Sequence, residues 1–261
     1  MNLKELIYKL FKRSDNAKRN AKSADGGQHH VRGGVHRFAS ARGKAISDCR
    51  RVGLLAAVLS SQRGRTSDSG AGDKIRRLID AAKEAGLWLD KAQIAMLGDL
   101  VSKRTGESEV YWNRSESAFY KVKNPDAKRP LKHTSESDWI YEHVIHNILF
   151  PECAYEFVGI ALELGAIRVV LKQNAVRTEA FPTERQIEVL LAQRGLVRED
   201  RYFFGDGMVS VTDVGAHGDN VLLGDDGNVY FIDPLIRLGR SAEEVIEWLT
   251  GFNPATLGNV A

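Results

Sequence analysis

Between residues 73 and 89, Ile75, Leu78, Ile79, Ala82 and Leu87 recur at three- and four-residue spacing, which predicts a helix with one buried face. Asp73 stands where a cap belongs and Gly86 where a stop belongs. The same periodicity predicts helices over 1–13 and 45–60. Another runs through "KAQIAMLGDLV" after a cap at Asp90. "TSESDWIYEHVIHNILF" follows, starting at Thr134 or Ser135 and closed by Pro151. "PTERQIEVLLAQRG" carries a capping box of Thr183 and Gln186 and a stop at Gly195, and "SAEEVIEWLTG" is the last helix. Strand-like runs are "SEVYWN", "SAFYKVKN", "IRVVLKQNAV" and the two arms of "NVLLGDDGNVYFID". The order is helices, a hairpin, a helix, a strand, a helix and a second hairpin, which is an α+β chain without a visible repeat.

Where the pattern lapses, the chain is polar. "SDNAKRNAKSADGGQHHVRGGVHRFASARGKA" is Gly-rich and basic and reads as linker or disorder. Residues 1–65 hold fifteen Lys/Arg against four acids, a net +11; with +3 overall, the remainder carries −8. A flexible basic arm, residues 1–70, is therefore expected before a mildly acidic body, dispensable for its fold and able to make weak nucleic-acid contacts through 1–65. No aromatics are interleaved there to stack bases. His29, His30 and His36 lack the Cys or carboxylate company of a metal site. Cys49 and Cys153 lie far apart, which fits a reducing, cytoplasmic setting. With 43% hydrophobic residues, no run reaches the ~18 apolar residues of a membrane span, and no secretory signal is apparent.

Composition alone leaves the second hairpin unexplained, because it gathers too many acids. Asp226-Gly227 is a two-residue turn signal that pairs Val221–Leu223 with Val229–Phe231. Asn220 and Asp233 then stand side by side at the far end, a hard-oxygen pair suited to Mg²⁺. Asp213 lies upstream, in a loop that returns to that end. Asp225, Asp226 and Asn228 read as turn formers. His143, His146 and Asn147 share a helix and read as polar packing.

The pieces "GESEVYW", "HNILFPECAY", "VVLKQ", "FPTERQIEVLL" and "DGNVYFIDPL" together resemble the polyvalent-protein kinase family of phage and mobile-element proteins. The resemblance runs from about 73 to 238, with "FIDP" where other kinases have Asp-Phe-Gly. It implies a minimal, bilobal protein-kinase-like fold over 71–261. Its N-lobe would span about 100–172, its hinge 173–176 and its C-lobe 177–261. It implies ATP and Mg²⁺ as cofactors and transfer of the γ-phosphoryl group to a hydroxyl of a protein or small molecule. Gly106 would cover the phosphates and Lys121 position them, with Lys123 on the same strand face. Glu142 would pair with Lys121, with Glu136 and Glu152 as competitors. The backbone of Gln173, Asn174 and Ala175 would receive adenine. Asp213 would orient the hydroxyl, near His217, and Asn220 and Asp233 would bind the metal.

Two departures qualify this assignment. Asp213 and Asn220 are seven residues apart where the kinase pattern has five, and Asp219 adjoins Asn220. Only 28 residues follow Asp233, too few for a full peptide-substrate lobe. The alternatives are a pseudokinase binding module, an AMP transferase of the same fold, and a nucleic-acid-binding protein led by the arm.

Overall fold

The computed structural model describes residues 38–62, 76, 79–80, 82–103, 108–123, 136–163, 166–200, 203–215 and 220–253. Residues 1–37 of the basic arm, the caps expected at Asp73 and at Thr134 or Ser135, and Gly106, His217 and Asp219 lie outside them.

The helices among the described residues include α1 (Arg42–Gln62), α2 (Lys91–Ala95), α3 (Glu136–Leu149), α4 (Glu184–Gln193) and α5 (Ala242–Thr250), and residues 79–80 and 82–84 are helical as well. Among the described residues the strands form three antiparallel sheets. The first is five-stranded: β1 (Asp99–Lys103), β2 (Ser108–Asn113), β3 (Ala118–Lys123), β4 (Tyr155–Glu163) and β5 (Ala166–Asn174), in the order β1-β2-β3-β5-β4. The second sets β6 (Thr178–Ala180) beside β10 (Val221–Gly224) and β11 (Val229–Phe231), in the order β11-β10-β6. The third, ordered β12-β9-β8-β7, joins β7 (Val197–Arg198), β8 (Phe203–Gly205), β9 (Val209–Thr212) and β12 (Leu235–Leu238). Mixed helix and sheet makes this an α+β chain.

Local chemistry sets the helix ends. Asp90 with Gln93, Thr183 with Gln186 and Ser241 with Glu244 each form a reciprocal capping box. At Gly86 the chain turns left-handed, with Gly86 N–H donating to Lys83 O and Leu87 N–H to Ala82 O. Gly195 repeats the pattern with Ala192 and Leu191. Both are Schellman closures that satisfy otherwise orphaned carbonyls.

Of the described strands, β1, β4, β6, β7, β8, β9 and β12 escape the periodicity reading. The helix expected through "KAQIAMLGDLV" stops at Ala95, and its last three residues, from Asp99, enter β1. Gly98 forces the change: its φ is +142°, and a Cβ there would sit 2.2 Å from Trp112 O. β4 is masked by a register shift between Phe157 and Gly159, which breaks the alternation. The hairpin register Val221↔Phe231, Leu222↔Tyr230 and Leu223↔Val229 is the expected one, but the turn differs. Gly227 N–H donates to Gly224 O and Gly224 N–H to Asn228 O, with Gly227 left-handed. That is a three-residue loop with a bulge, not a two-residue turn.

α1 belongs to the core. Ala45, Cys49 and Val52, four and three residues apart, are buried in the cluster that holds Ile140, Tyr141, Val144, Ile145 and Ile148 of α3. The expectation that residues 1–70 are dispensable therefore stops short of α1. A chain begun at Asp73 is expected to lose on the order of 2 kcal/mol or more of stability, because the α3 face would meet water. An unchanged thermal midpoint in that truncation would show that α1 adds nothing.

Candidate functional site

β3 is buried from Ala118 to Val122, and Lys121 within it is only 6% exposed. A buried ammonium needs partners. Its Nζ donates to Tyr155 Oη at 2.9 Å and lies 3.4 Å from both Ile232 O and Asp233 Oδ1. Lys123, two residues on and on the same face, reaches the same Oδ1 at 3.5 Å. Tyr155, at the start of β4, places its hydroxyl 2.7 Å from Ile232 O and 2.8 Å from Asp233 Oδ1.

Asp233 follows β11 and is walled by protein, yet its side chain keeps 48% of its accessible surface. Burial pushes its carboxyl up. Lys121, Lys123 and the Tyr155 hydroxyl outweigh that and hold it well below the usual carboxylate range. Lys121 moves the other way: burial pushes its ammonium down, and Asp233 offsets only part. Both shifts fit one geometry. The carboxylate opens to solvent beside two cations, while Lys121 is desolvated with one anion. Burial and the Asp233 charge push the Tyr155 phenol well above its ordinary value, so it stays a donor.

Asp213 and Asn220 meet at the same place from the other side. Asp213 follows β9 with a φ of +60°, a conformation that Asp tolerates better than most residues. Its Oδ2 accepts from Asn220 Nδ2 at 2.6 Å and its carbonyl from the same nitrogen at 3.3 Å. Asn220 O accepts from Ile232 N at 2.8 Å, and Thr212 pairs with Leu235. Thus the end of β9, the start of β10, the end of β11 and the start of β12 converge on Asp213, Asn220 and Asp233. The seven-residue gap does not keep the first two apart.

α3 faces this cluster with polar groups that periodicity reads only as packing. His146 Nε2 lies 2.8 Å from Phe231 O, and because a carbonyl only accepts, that nitrogen carries the proton. Asn147 holds the Tyr155 backbone at both ends, Nδ2 to O at 2.7 Å and N to Oδ1 at 2.6 Å. Glu142 is half-buried on the same helix. Lys121 forms an ion pair with Asp233. Burial lowers the His146 imidazole to about 4. The unfolded chain takes up its proton near pH 6.5, and the folded one resists until near 4. Stability is therefore expected to fall across that window by roughly 3 kcal/mol as pH drops. Melting profiles of His146→Gln should be flatter over the same range, and an unchanged profile would assign the acid loss elsewhere.

The adenine-binding expectation fell on Gln173, Asn174 and Ala175. Gln173 lies between β3 and β4, paired with Phe119 and Tyr155. Its side-chain Nε2 donates to Cys153 O at 2.8 Å and Ile232 O at 3.0 Å. Ala175 N–H is committed to Ser117 O at 2.9 Å. Ladder alternation then turns the Asn174 N–H and C=O toward the β4 side, past the start of that strand. The sequence reading missed the Tyr155 hydroxyl and the Gln173 side chain. Neither has a local signal: Tyr155 stands before Glu156 at a strand start, and Gln173 sits in the polar run Lys172, Gln173, Asn174.

The donor set suits a hard cation. An Asn220 amide whose NH₂ is engaged by Asp213 presents its carbonyl oxygen, and Asp233 supplies a carboxylate, both oxygen ligands of the kind Mg²⁺ takes. Among the described residues no group of three or more His, Cys, Asp and Glu could hold a metal. No helix among the described residues is long and apolar enough to cross a membrane. Residues 72–240 match a family model described as serine/threonine/tyrosine kinase found in polyvalent proteins. No curated protein and no solved structure matches the chain.

Proposed function

Because this chain belongs to the kinase family found in polyvalent proteins, its model matching well over half of the residues, we propose that it is an ATP- and Mg²⁺-dependent phosphotransferase. It would move the γ-phosphoryl group to a hydroxyl of a protein or small molecule. The observation that carries this reading is the buried Lys121 of β3 meeting Asp233 at 3.4 Å, next to the Asp213–Asn220 pair. In this reading the five-stranded sheet with α3 is one lobe, residues 173–176 are the hinge, and the elements from β6 onward are the other lobe.

Lys121 would bind the nucleotide phosphates, with Lys123 close enough to share that charge. Asn174 would offer the backbone groups for adenine. Asn220 and Asp233 would hold Mg²⁺, whose chemistry there would be to offset the charge on the nucleotide phosphates. Asp213 would orient the acceptor hydroxyl and take its proton. Such chemistry rests on positioning and charge stabilisation, so few residues suffice. The free, buried Cys49 and Cys153 fit a reducing, cytoplasmic-type setting.

The test is incubation of the full chain with γ- and α-labelled ATP, Mg²⁺ and a panel of protein and small-molecule acceptors. Transfer of the γ label supports the proposal. Transfer of the α label identifies an AMP transferase, and nucleotide binding without transfer of either favours a pseudokinase.

A further inference from the structure

The Tyr155 hydroxyl meets three polar partners in the site, Lys121 Nζ, Ile232 O and Asp233 Oδ1, and the nucleotide chemistry above gives it no role. It accepts from Lys121 Nζ and has one proton for two acceptors, Ile232 O and Asp233 Oδ1. Its own placement is over-determined. Asn147 grips its backbone, and its ring packs against His143 at 5.3 Å and His146 at 4.7 Å between centroids, with the Lys121 ammonium 4.9 Å from the ring centre. Tyr155, Lys121 and Lys123 all approach the same oxygen of Asp233, Oδ1. The other oxygen, Oδ2, is then the one a cation can take, on a side chain that is 48% accessible.

We propose that Tyr155 is a positioning residue: its hydroxyl fixes Lys121 and clamps Oδ1 of Asp233, so that Oδ2 is presented to Mg²⁺ on the nucleotide phosphates. The proposal rests on the phosphotransferase reading and adds to it a residue that touches neither nucleotide nor acceptor. A hydrogen bond that orients a charged group matters more for metal binding, which needs one oxygen aimed, than for phosphate attraction to an ammonium.

The experiment uses the full chain and Tyr155→Phe, which keeps the ring and its contacts and removes only the hydroxyl. ATP binding is titrated calorimetrically with increasing Mg²⁺ and, separately, in chelator without metal, beside thermal melting. The Mg²⁺ concentration giving half-maximal enhancement should rise about tenfold in the variant, the scale of one lost hydrogen bond to a charged group. Metal-free ATP affinity should stay within about threefold. An unchanged Mg²⁺ requirement overturns the proposal. So does an equal loss with and without metal accompanied by a lower melting point, which marks a merely structural tyrosine. A parent chain that binds no ATP at all removes the phosphotransferase reading and this proposal with it, and the parent titration alone distinguishes that case.

Discussion

Asp233→Ala is expected to remove the gain in nucleotide affinity that Mg²⁺ provides, a loss of about 100-fold or more, since the variant deletes the only carboxylate assigned to the metal. The same change should act in the opposite direction without metal. Lys121 and Lys123 both lie within 3.5 Å of Asp233 Oδ1, and with that anion gone the two cations lose the carboxylate they share. Phosphates should then bind slightly tighter in chelator than they do to the parent. This sign reversal separates a metal ligand from a residue that merely keeps the fold, because unfolding weakens both. A cost in stability is expected as well, because Lys121 is left desolvated beside Lys123. Calorimetric titrations with and without Mg²⁺ read both effects, and metal-dependent binding that survives the substitution would take the metal role from Asp233.

The second large effect belongs to Asp213→Asn. Asn tolerates the left-handed backbone that Asp213 adopts at φ +60°, so the turn after β9 should persist. The carboxylate is lost, and with it the group that would take the hydroxyl proton. Phosphoryl transfer should fall about 10²-fold or more, while nucleotide affinity changes little, since Lys121, Asn220 and Asp233 remain. Lys121→Met should instead weaken both binding and turnover. Steady-state rates and binding constants for the two variants give the comparison. Transfer that is unaffected in Asp213→Asn would move the base elsewhere, with Asp219 next in line.

The features legible in advance were those written in neighbouring residues. A capping box needs Thr183 and Gln186 three positions apart, and a hairpin register follows from one turn and two short apolar arms. Asn220 beside Asp233 is a consequence of that register. The parts that escaped depend on contacts between distant segments. β1 exists because Gly98 tucks against Trp112 O and frees the next five residues to pair with β2. β4 has its alternation broken at Gly159, where a Cβ would come within 2.2 Å of Leu87 O. Tyr155 meets Asp233 across 78 positions and Gln173 meets Ile232 across 59, separations at which local periodicity carries no information. The proposed roles rest on the family resemblance, because periodicity carries none.

The same contacts at β4 bear on self-association. As the last strand of its sheet, β4 would offer a row of open backbone groups to any passing extended chain. Instead, Ile160 N–H donates to Leu87 O and Ile160 O accepts from Leu89 N, both at 2.8 Å, so residues 87–89 lie along the strand as a short parallel cover. Farther up, the Asn147 amide takes the Tyr155 N–H and C=O as a neighbouring strand would. One border of the sheet is thereby blunted against templated growth, and β1 forms the opposite border. Asn147→Leu would uncap the strand beside the candidate site, coupling colloidal stability to the alignment of Tyr155.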